Sequence, residues 1–206
     1  MKISTVIHNI CSRYFGGIKV VFNRIYWKSR LSHFGKSIIV KPLRIEGENI
    51  FIGDNVYIQY KTWLEARPLT GEKEAYLEIQ DGCVIGNFNE IYATKRIILE
   101  KDVLTADRVY ISDNLHGYEN PNIPIVRQPI VQNGDEVRIG EGSWLGVGVA
   151  VVGASIGKHC VIGANAVVTK EIPDFCVAVG IPAKIIKRYD FEAGCWRKTN
   201  PDGTFK

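Results

Sequence analysis

Beyond residue 45 the chain holds two histidines, His116 and His159, the side chains best suited to taking and returning a proton near neutral pH. His116 lies in Ser112-Asp113-Asn114-Leu115-His116-Gly117-Tyr118, at the head of a long irregular stretch. Loops held by a rigid scaffold are where catalytic groups tend to be placed. His159 stands in a turn before Cys160, where a polar side chain simply faces solvent. One histidine can draw a proton from a hydroxyl or amine while that group attacks an activated carbonyl, and the protein then needs no nucleophile of its own. Other chemistries find less support. No cysteine is visibly matched to His116 as in a nucleophile–histidine pair. Two histidines are too few for a histidine-built metal centre, and the five cysteines Cys11, Cys83, Cys160, Cys176 and Cys195 contain no C-x-x-C pair. Neither a metal nor a disulfide framework is expected. The absence of a P-loop, and of G-x-G-x-x-G after a strand, disfavours nucleoside triphosphate and dinucleotide sites.

The scaffold that would hold such a loop is legible as a period. Ile139-Gly140, Leu145-Gly146, Ile156-Gly157 and Ile162-Gly163 repeat an aliphatic residue before glycine, six, eleven and six residues apart, with Val151 supplying an aliphatic residue inside the longer gap. Four positions after each aliphatic residue comes a small or medium one: Ser143, Val149, Cys160 and Ala166. A helix would spread these positions around its circumference, and an alternating strand would bury every second residue, so neither fits. A six-residue unit of one short strand and a turn, stacked coil on coil around a shared core, does fit. The fold class is therefore all-β, a parallel β-helix of five or six coils, each of about 18 residues in three sides. Cys83 and Cys160 occupy the small slot and are expected to fill core. Units are recognisable from Ile45 and Ile52-Gly53 onward, with excursions near 65–76 and 113–137. Pro173 and Pro182 end the periodic strands, and Ile185 to Tyr189 reads as the start of a short helix. The expected division is an arm over 1–45, a β-helix over 46–184 and a C-terminal helix and tail over 185–206.

Charge separates arm from body. The net charge is +4, yet residues 1–45 carry nine lysines and arginines and no acid, which leaves the remainder at −5. In the arm Ile3, Val6, Ile7, Ile10, Tyr14, Ile18, Val21, Phe22 and Ile25 recur at helical steps, with Gly16-Gly17 breaking or bending the helix. Such a basic amphipathic helix lies on an anionic membrane or packs on the body or a neighbouring subunit, and both readings stay open. No nucleic-acid reader motif is present. No apolar run approaches the roughly 20 residues that span a bilayer, and the N-terminus lacks an uninterrupted apolar core, so a cytoplasmic location is the expectation.

The run Trp144-Leu145-Gly146-Val147-Gly148, then Ile156-Gly157, Val161-Ile162-Gly163-Ala164-Asn165-Ala166-Val167-Val168-Thr169-Lys170 and Val179-Gly180-Ile181-Pro182-Ala183-Lys184 resembles the hexapeptide-repeat acyltransferases. Within them it is similar to the galactoside and maltose acetyltransferase group, and there to the O-acetyltransferases of bacterial lipopolysaccharide and capsule assembly. The likeness covers most of residues 50–190 and little of the arm. It implies a left-handed β-helix, a homotrimer with active sites between adjacent prisms, and acetyl-CoA as donor. It implies that His116 is the general base and that Asn87, in Gly86-Asn87-Phe88-Asn89, contacts the acceptor, although Asn87 also reads as a turn residue in an asparagine ladder. On the donor side it places Trp144 near the reacting centre, the backbone of Gly146 and Ala164 along the pantetheine arm, and Thr169, Lys170, Lys184 and Lys187 around the CoA phosphates. A backbone N–H at Gly146 or Val147 would receive the developing oxyanion, and Asp113 or Glu136 would orient His116. The implied reaction is direct O-acetylation of a sugar hydroxyl in surface-polysaccharide biosynthesis. N-acetylation of a nucleotide-linked amino sugar and a non-catalytic scaffold are the alternatives.

Overall fold

The computed structural model describes residues 17–200 and 202–206. After a single helix, α1 (Gly17–Lys28), the chain winds into six complete coils among the described residues, the first five giving one short strand to each of three faces and the sixth a single bridge in place of its first-face strand. The first face stacks His33–Phe34, Ile50–Ile52, Tyr76–Ile79, Arg96–Leu99 and Val137–Ile139, and continues through single bridges to Ile156 and Ile172. The second stacks Ile38–Ile39, Tyr57–Ile58, Val84–Ile85, Leu104–Thr105, Trp144–Leu145, Val161–Ile162 and Cys176–Val179. The third stacks Arg44–Gly47, Trp63–Ala66, Glu90–Ala93, Tyr110–Ser112, Ala150–Val152 and Val167–Val168. All of these pairings are parallel.

Each face sends aliphatic residues inward at every coil, two from each three- or four-residue strand of the first face, and they form columns. Ile52, Ile79, Leu99 and Ile139 come from the first face, Ile58, Ile85, Leu145 and Ile162 from the second, and Leu64, Ile91, Ile111, Val151 and Val168 from the third, all fully buried. Burying each such side chain contributes about 1.5–3 kcal/mol, which makes the columns the main driving force for coiling. Cys83 and Cys160 lie in the same core, and burial pushes their thiols up to about 12 and about 11.

Two of the three edges are turned by ladders of left-handed residues. Asn55, Gly82, Asp102, Gly142, His159 and Phe175 stand one above another between the first and second faces, each linked by its N–H to the carbonyl before the equivalent residue below. Lys61, Phe88, Arg108, Gly148 and Asn165 do the same between the second and third. Neighbouring aspartates complete the turns: Asp81 Oδ1 accepts from the N–H of Asp54 at 2.8 Å, and Asp174 Oδ1 from that of Lys158 at 2.8 Å. This is why the repeat reads aliphatic, glycine, acid or amide.

Two boundaries differ from the sequence expectation. The helical arm does not extend to residue 45; α1 ends at Lys28 and coiling begins at His33. The first coil buries only Phe34, Ile38 and Ile39 on two-residue strands, too little to print a period. The arm positions before residue 17 lie outside the described residues. At the other end Ile185–Tyr189 is not helical but part of the strand Lys184–Asp190, which turns back antiparallel on Cys176–Val179 and is itself paired by Cys195–Lys198. The last parallel strand leaves an open edge of backbone donors and acceptors, and this hairpin satisfies it.

Between Ser112 and Val137 the chain leaves the coil and forms an antiparallel pair, Asn114–His116 against Ile130–Gln132. It also leaves between Ala66 and Tyr76. Both excursions depart from the same edge, where the third face turns toward the first.

Candidate active site

The hairpin that carries His116 is rooted in one buried carboxylate. Asp113 Oδ1 accepts from the backbone N–H of Thr94 at 2.8 Å and lies 2.9 Å from its hydroxyl, while Oδ2 accepts from the N–H groups of Lys95 and Arg96 at 2.8 Å each. The Asp113 carbonyl in turn accepts from the Asn133 N–H and the Gln132 amide, at 2.8 and 2.7 Å. Gln132 Oε1 then reaches the hydroxyls of Thr70 and Thr94, at 2.8 and 3.1 Å, and Lys95 Nζ bridges Glu72 and Asp135. The two excursions are thus bound to each other over one end of the third face.

Beneath them lies a cavity of ≈ 290 Å³ whose walls include Glu65, Arg67, Leu69, Tyr92, Tyr110 and His116. His116 is exposed, opposite Ile130, and the Gly117 N–H donates to Pro129 O at 2.8 Å to hold the strand behind it. Among the described residues no hydrogen bond engages the imidazole, which lines the cavity and is exposed. Neither residue expected to orient it does so. Asp113 is fully occupied at the root of the hairpin, and Glu136 pairs with Arg96 at 2.9 Å and Arg138 at 2.7 Å. On the cavity floor the rings of Tyr92 and Tyr110 have centroids 5.7 Å apart, and Trp63, 5.2 Å from Tyr92, continues the ladder outside the cavity lining. Burial, with the Glu90 carboxylate beside it, raises the Tyr92 phenol above its usual value, so it remains a hydroxyl bonded to Glu90 Oε2 at 3.1 Å.

The other residues singled out in the sequence stand elsewhere. Asn87 occupies the turn between the second and third faces; its Oδ1 accepts from the Tyr60 N–H at 3.1 Å, its amide donates to Asp107 Oδ1 at 3.0 Å, and it does not line the cavity. Trp144 is on the second face between Leu104 and Val161, its side 45% exposed. Gly146 and Ala164 are stacked at the same edge as Asn87, so closely that a Cβ on Gly146 would meet the Ala164 nitrogen at 2.8 Å. The Gly146 N–H is taken by Ile162 O at 2.8 Å, which removes it as an oxyanion donor. The N–H groups of Val147 and Ala164 have no such partner among the described residues and remain available. Thr169 and Lys170 leave the far end of the Val167–Val168 strand, both exposed. Lys184 and Lys187 lie on the returning strand opposite Val179 and Val177, and the Ala183 N–H donates to Val167 O at 2.8 Å, which brings Lys184 beside the near end of Val167–Val168. One chain therefore places Trp144, Gly146, Ala164, Lys184 and Lys187 on the second face and its edge, and His116 beyond the opposite edge of the third, the edge from which Thr169 and Lys170 also leave. With about 3.3 Å per strand residue, the six or seven residues across that face set them about 20 Å apart.

Two further positions are settled by contact. His159 sits in a turn at φ 49° and stacks on Phe175, ring centroids 5.6 Å apart. Gly153-Ala154-Ser155-Ile156-Gly157 spells G-x-S-x-G, a pattern of nucleophilic serines, but here it makes an edge of the coil. Ser155 Oγ accepts from the Arg138 N–H at 3.0 Å and reaches Glu136 O at 3.3 Å, with no histidine beside it. The groups that sequence reasoning missed are Glu65, Arg67, Tyr92 and Tyr110, which share a cavity only because successive coils stack. Among the described residues no group of histidine, cysteine and carboxylate side chains could hold a metal ion.

Comparisons with known proteins agree with this architecture. The family described as "Hexapeptide repeat of succinyl-transferase" matches residues 136–170. A probable acetyltransferase of Mycobacterium tuberculosis is 39% identical over 137 residues, covering 66% of this chain and 43% of the relative. The putative lipopolysaccharide biosynthesis O-acetyl transferase WbbJ of Escherichia coli is 36% identical over 126 residues, covering 57% of this chain and 63% of the relative. The chain thus spans between two fifths and two thirds of the length of these curated relatives. Among solved structures, a mutant of AntD, an N-acyltransferase from Bacillus cereus in complex with dTDP and coenzyme A, superposes with a TM-score of 0.60 at 17% identity, over 82% of this chain and 90% of that one. At that identity the likeness is one of fold, the left-handed parallel β-helix.

Proposed function

We propose that this chain, which belongs to the hexapeptide-repeat acyltransferases, transfers an acetyl group from acetyl-CoA to a sugar hydroxyl in the assembly of a surface polysaccharide. The observation that carries the reading is the exposed His116 imidazole on the rim of a walled cavity, presented by a hairpin whose root is fixed by Asp113. His116 accepts the hydroxyl proton as the oxygen attacks the thioester carbonyl; the acyl–sulfur bond breaks and the proton passes to the departing CoA thiolate. A base so placed contributes about 10²–10⁴ in rate. With the Gly146 N–H taken, the Val147 N–H is the donor assigned to the oxyanion.

The donor lies along the second face. Exposed Trp144 and Val147, with the free N–H groups of Val147 and Ala164, fit an extended amide-bearing arm. Lys170, Lys184 and Lys187, with the Thr169 hydroxyl, supply compact cations and a donor for phosphate oxygens. Because Trp144, Gly146, Val147 and Ala164 stand across the third face from His116 in one chain, an active site needs the second face of a neighbouring copy against the His116 edge. A homotrimer, one site per interface, meets that need, and Asn87 of one copy then faces the acceptor held by another.

Helix α1 gives the assembly a membrane-facing side. Its Asn23 amide donates to Ile39 O at 2.8 Å and Trp27 is buried on the first coil, while Val21, Phe22, Ile25 and Tyr26 are exposed beside Lys19 and Lys28. Packing on the body and contact with an anionic bilayer are then served by different sides of one helix, and the second suits work on lipid-linked precursors. No described helix is long and apolar enough to cross a membrane.

The test is acetyl-CoA turnover against a panel of sugars, amino sugars and nucleotide sugars, with the product treated in mild alkali. Loss of label marks an ester. Retention marks an amide and favours the second reading, N-acetylation of an amino sugar, which draws on the N-acyltransferase of like fold. Absence of CoA binding would leave only a non-catalytic scaffold. Partition of wild type and Phe22→Glu onto anionic vesicles tests the helix; equal partition removes the membrane role.

A further inference from the structure

We infer that the cavity under the two excursions is a subsite for one neutral pyranose ring, with Tyr92 and Tyr110 as its platform and Glu65 and Arg67 as its hydroxyl-reading groups; this rests on the acetyltransferase reading above.

The ladder of positions explains why these four meet. Arg44, Trp63, Glu90 and Tyr110 form one outward row of the third face, and Glu46, Glu65 and Tyr92 the next. Aromatic and carboxylate groups therefore alternate diagonally, and the two excursions roof over the end of the face that holds Glu65, Tyr92 and Tyr110. Sugars present an apolar face of C–H groups with hydroxyls around the rim, and a tyrosine floor flanked by charged hydrogen-bonding side chains matches both. Glu65 accepts from the Trp63 indole at 3.0 Å and from Arg67 at 3.3 Å, which fixes its position and leaves lone pairs for hydroxyl donors. Arg67 is held by its backbone N–H to Ala93 O at 2.9 Å and has guanidinium N–H groups to spare.

Size and charge narrow the ligand. A volume of ≈ 290 Å³ is at the bottom of the range of about 300–1,000 Å³ typical of small-molecule sites, enough for one ring and short of a nucleotide. Glu65 and Arg67 offset one another on the wall, and Glu90 beside the floor leaves the surroundings net negative, which disfavours a uronate or a sugar phosphate at this position. His116 on the rim meets a hydroxyl at the ring's edge, so the same cavity chooses the acceptor and sets which hydroxyl is acylated. The remainder of the acceptor, whether a further sugar or a lipid-linked phosphate, leaves by the open side.

The experiment compares wild type, Tyr92→Ala, Tyr92→Phe and Glu65→Gln on the best saccharide acceptor, measuring KM for acceptor and for acetyl-CoA separately, with melting temperature as the control for folding. Tyr92→Ala should raise acceptor KM about five- to tenfold, the effect of losing a ring platform, and Glu65→Gln should do so to a similar degree while flattening the preference for neutral over acidic sugars. Donor KM should not move, and Tyr92→Phe, which keeps the ring, should stay close to wild type. If Tyr92→Ala does not fold, Tyr92→Leu keeps the volume and carries the same expectation. Transfer by wild type with acceptor KM unchanged, within twofold, in Tyr92→Ala or Tyr92→Leu and in Glu65→Gln overturns the subsite alone. Failure of wild type to acetylate any saccharide overturns the acetyltransferase reading and the subsite with it.

Discussion

The coils from Val137 to Val168 and those from Trp63 to Ser112 share one architecture and differ in regularity. In the former the chain returns to the first face after 17 residues, Ile139 to Ile156, with nothing inserted. In the latter a return takes 27 residues from Ile52 to Ile79, and 40 from Leu99 to Ile139, because two excursions intervene. The regular coils are nearly all column, glycine and turn, and they offer a flat wall. The interrupted coils hold the same buried columns but spend their extra residues on a hairpin, a roof and a cavity. Strict repetition builds a surface along which an extended donor can lie, and only a break in it can raise a side chain such as His116 above that surface.

The contrast can be broken from the interrupted side first. His116→Ala should lower acetyl transfer by about 10²–10⁴ while leaving donor affinity and melting temperature unchanged, as read by steady-state kinetics and CoA titration; transfer within threefold of wild type would sink the base assignment. Ile162→Ala in the regular coils should lose about 2–5 kcal/mol in denaturant unfolding, the cost of a cavity in a continuous column. Asp113→Asn keeps the shape yet sets an amide against backbone N–H groups, and should lose about 3 kcal/mol together with activity, since the hairpin root shifts. Gly146→Ala presses a methyl onto Ala164 and should lose about 1–3 kcal/mol and weaken acetyl-CoA binding. The smallest effect is chemical. Cys83 and Cys160, with pKa values raised by burial to about 12 and about 11, stay protonated and should resist alkylation at pH 8 in the folded protein, and the buried Cys176 should share that resistance. Exposed Cys195 should react, with the order read by mass spectrometry of labelled peptides.

Much of this was legible in the residues. Two of the three coil edges need a left-handed residue and a close approach of backbones, so glycine, asparagine and aspartate recur beside the aliphatic column, and the period survives even where strands are two residues long. The first coil was not legible, because Phe34, Ile38 and Ile39 are too few to repeat. Nor was the closing hairpin: Ile185–Tyr189, expected to begin a helix, is drawn into a strand by the unpaired edge of Cys176–Val179, which its isoleucines and tyrosine suit. At the site, His116 could be named from its place in a break, whereas the role of Asp113 could not, since Thr94, Lys95 and Arg96 are 17 to 19 residues away along the chain.

The sequence by itself determined the coil, its core columns, its turns and the break that carries the histidine, because each of these depends on residues within one or two repeats. The tertiary structure alone decided that Gly146 has no N–H to offer, that Ser155 is an edge residue, and that Glu65, Tyr92, Tyr110 and His116 share one cavity. These depend on which residues lie above one another, and that is set by the full length of each coil, excursions included. Coils of 20 residues (Ile79 to Leu99) and of 17 (Ile139 to Ile156) keep the same column inward, because turns and excursions absorb the difference, and only the fold decides where.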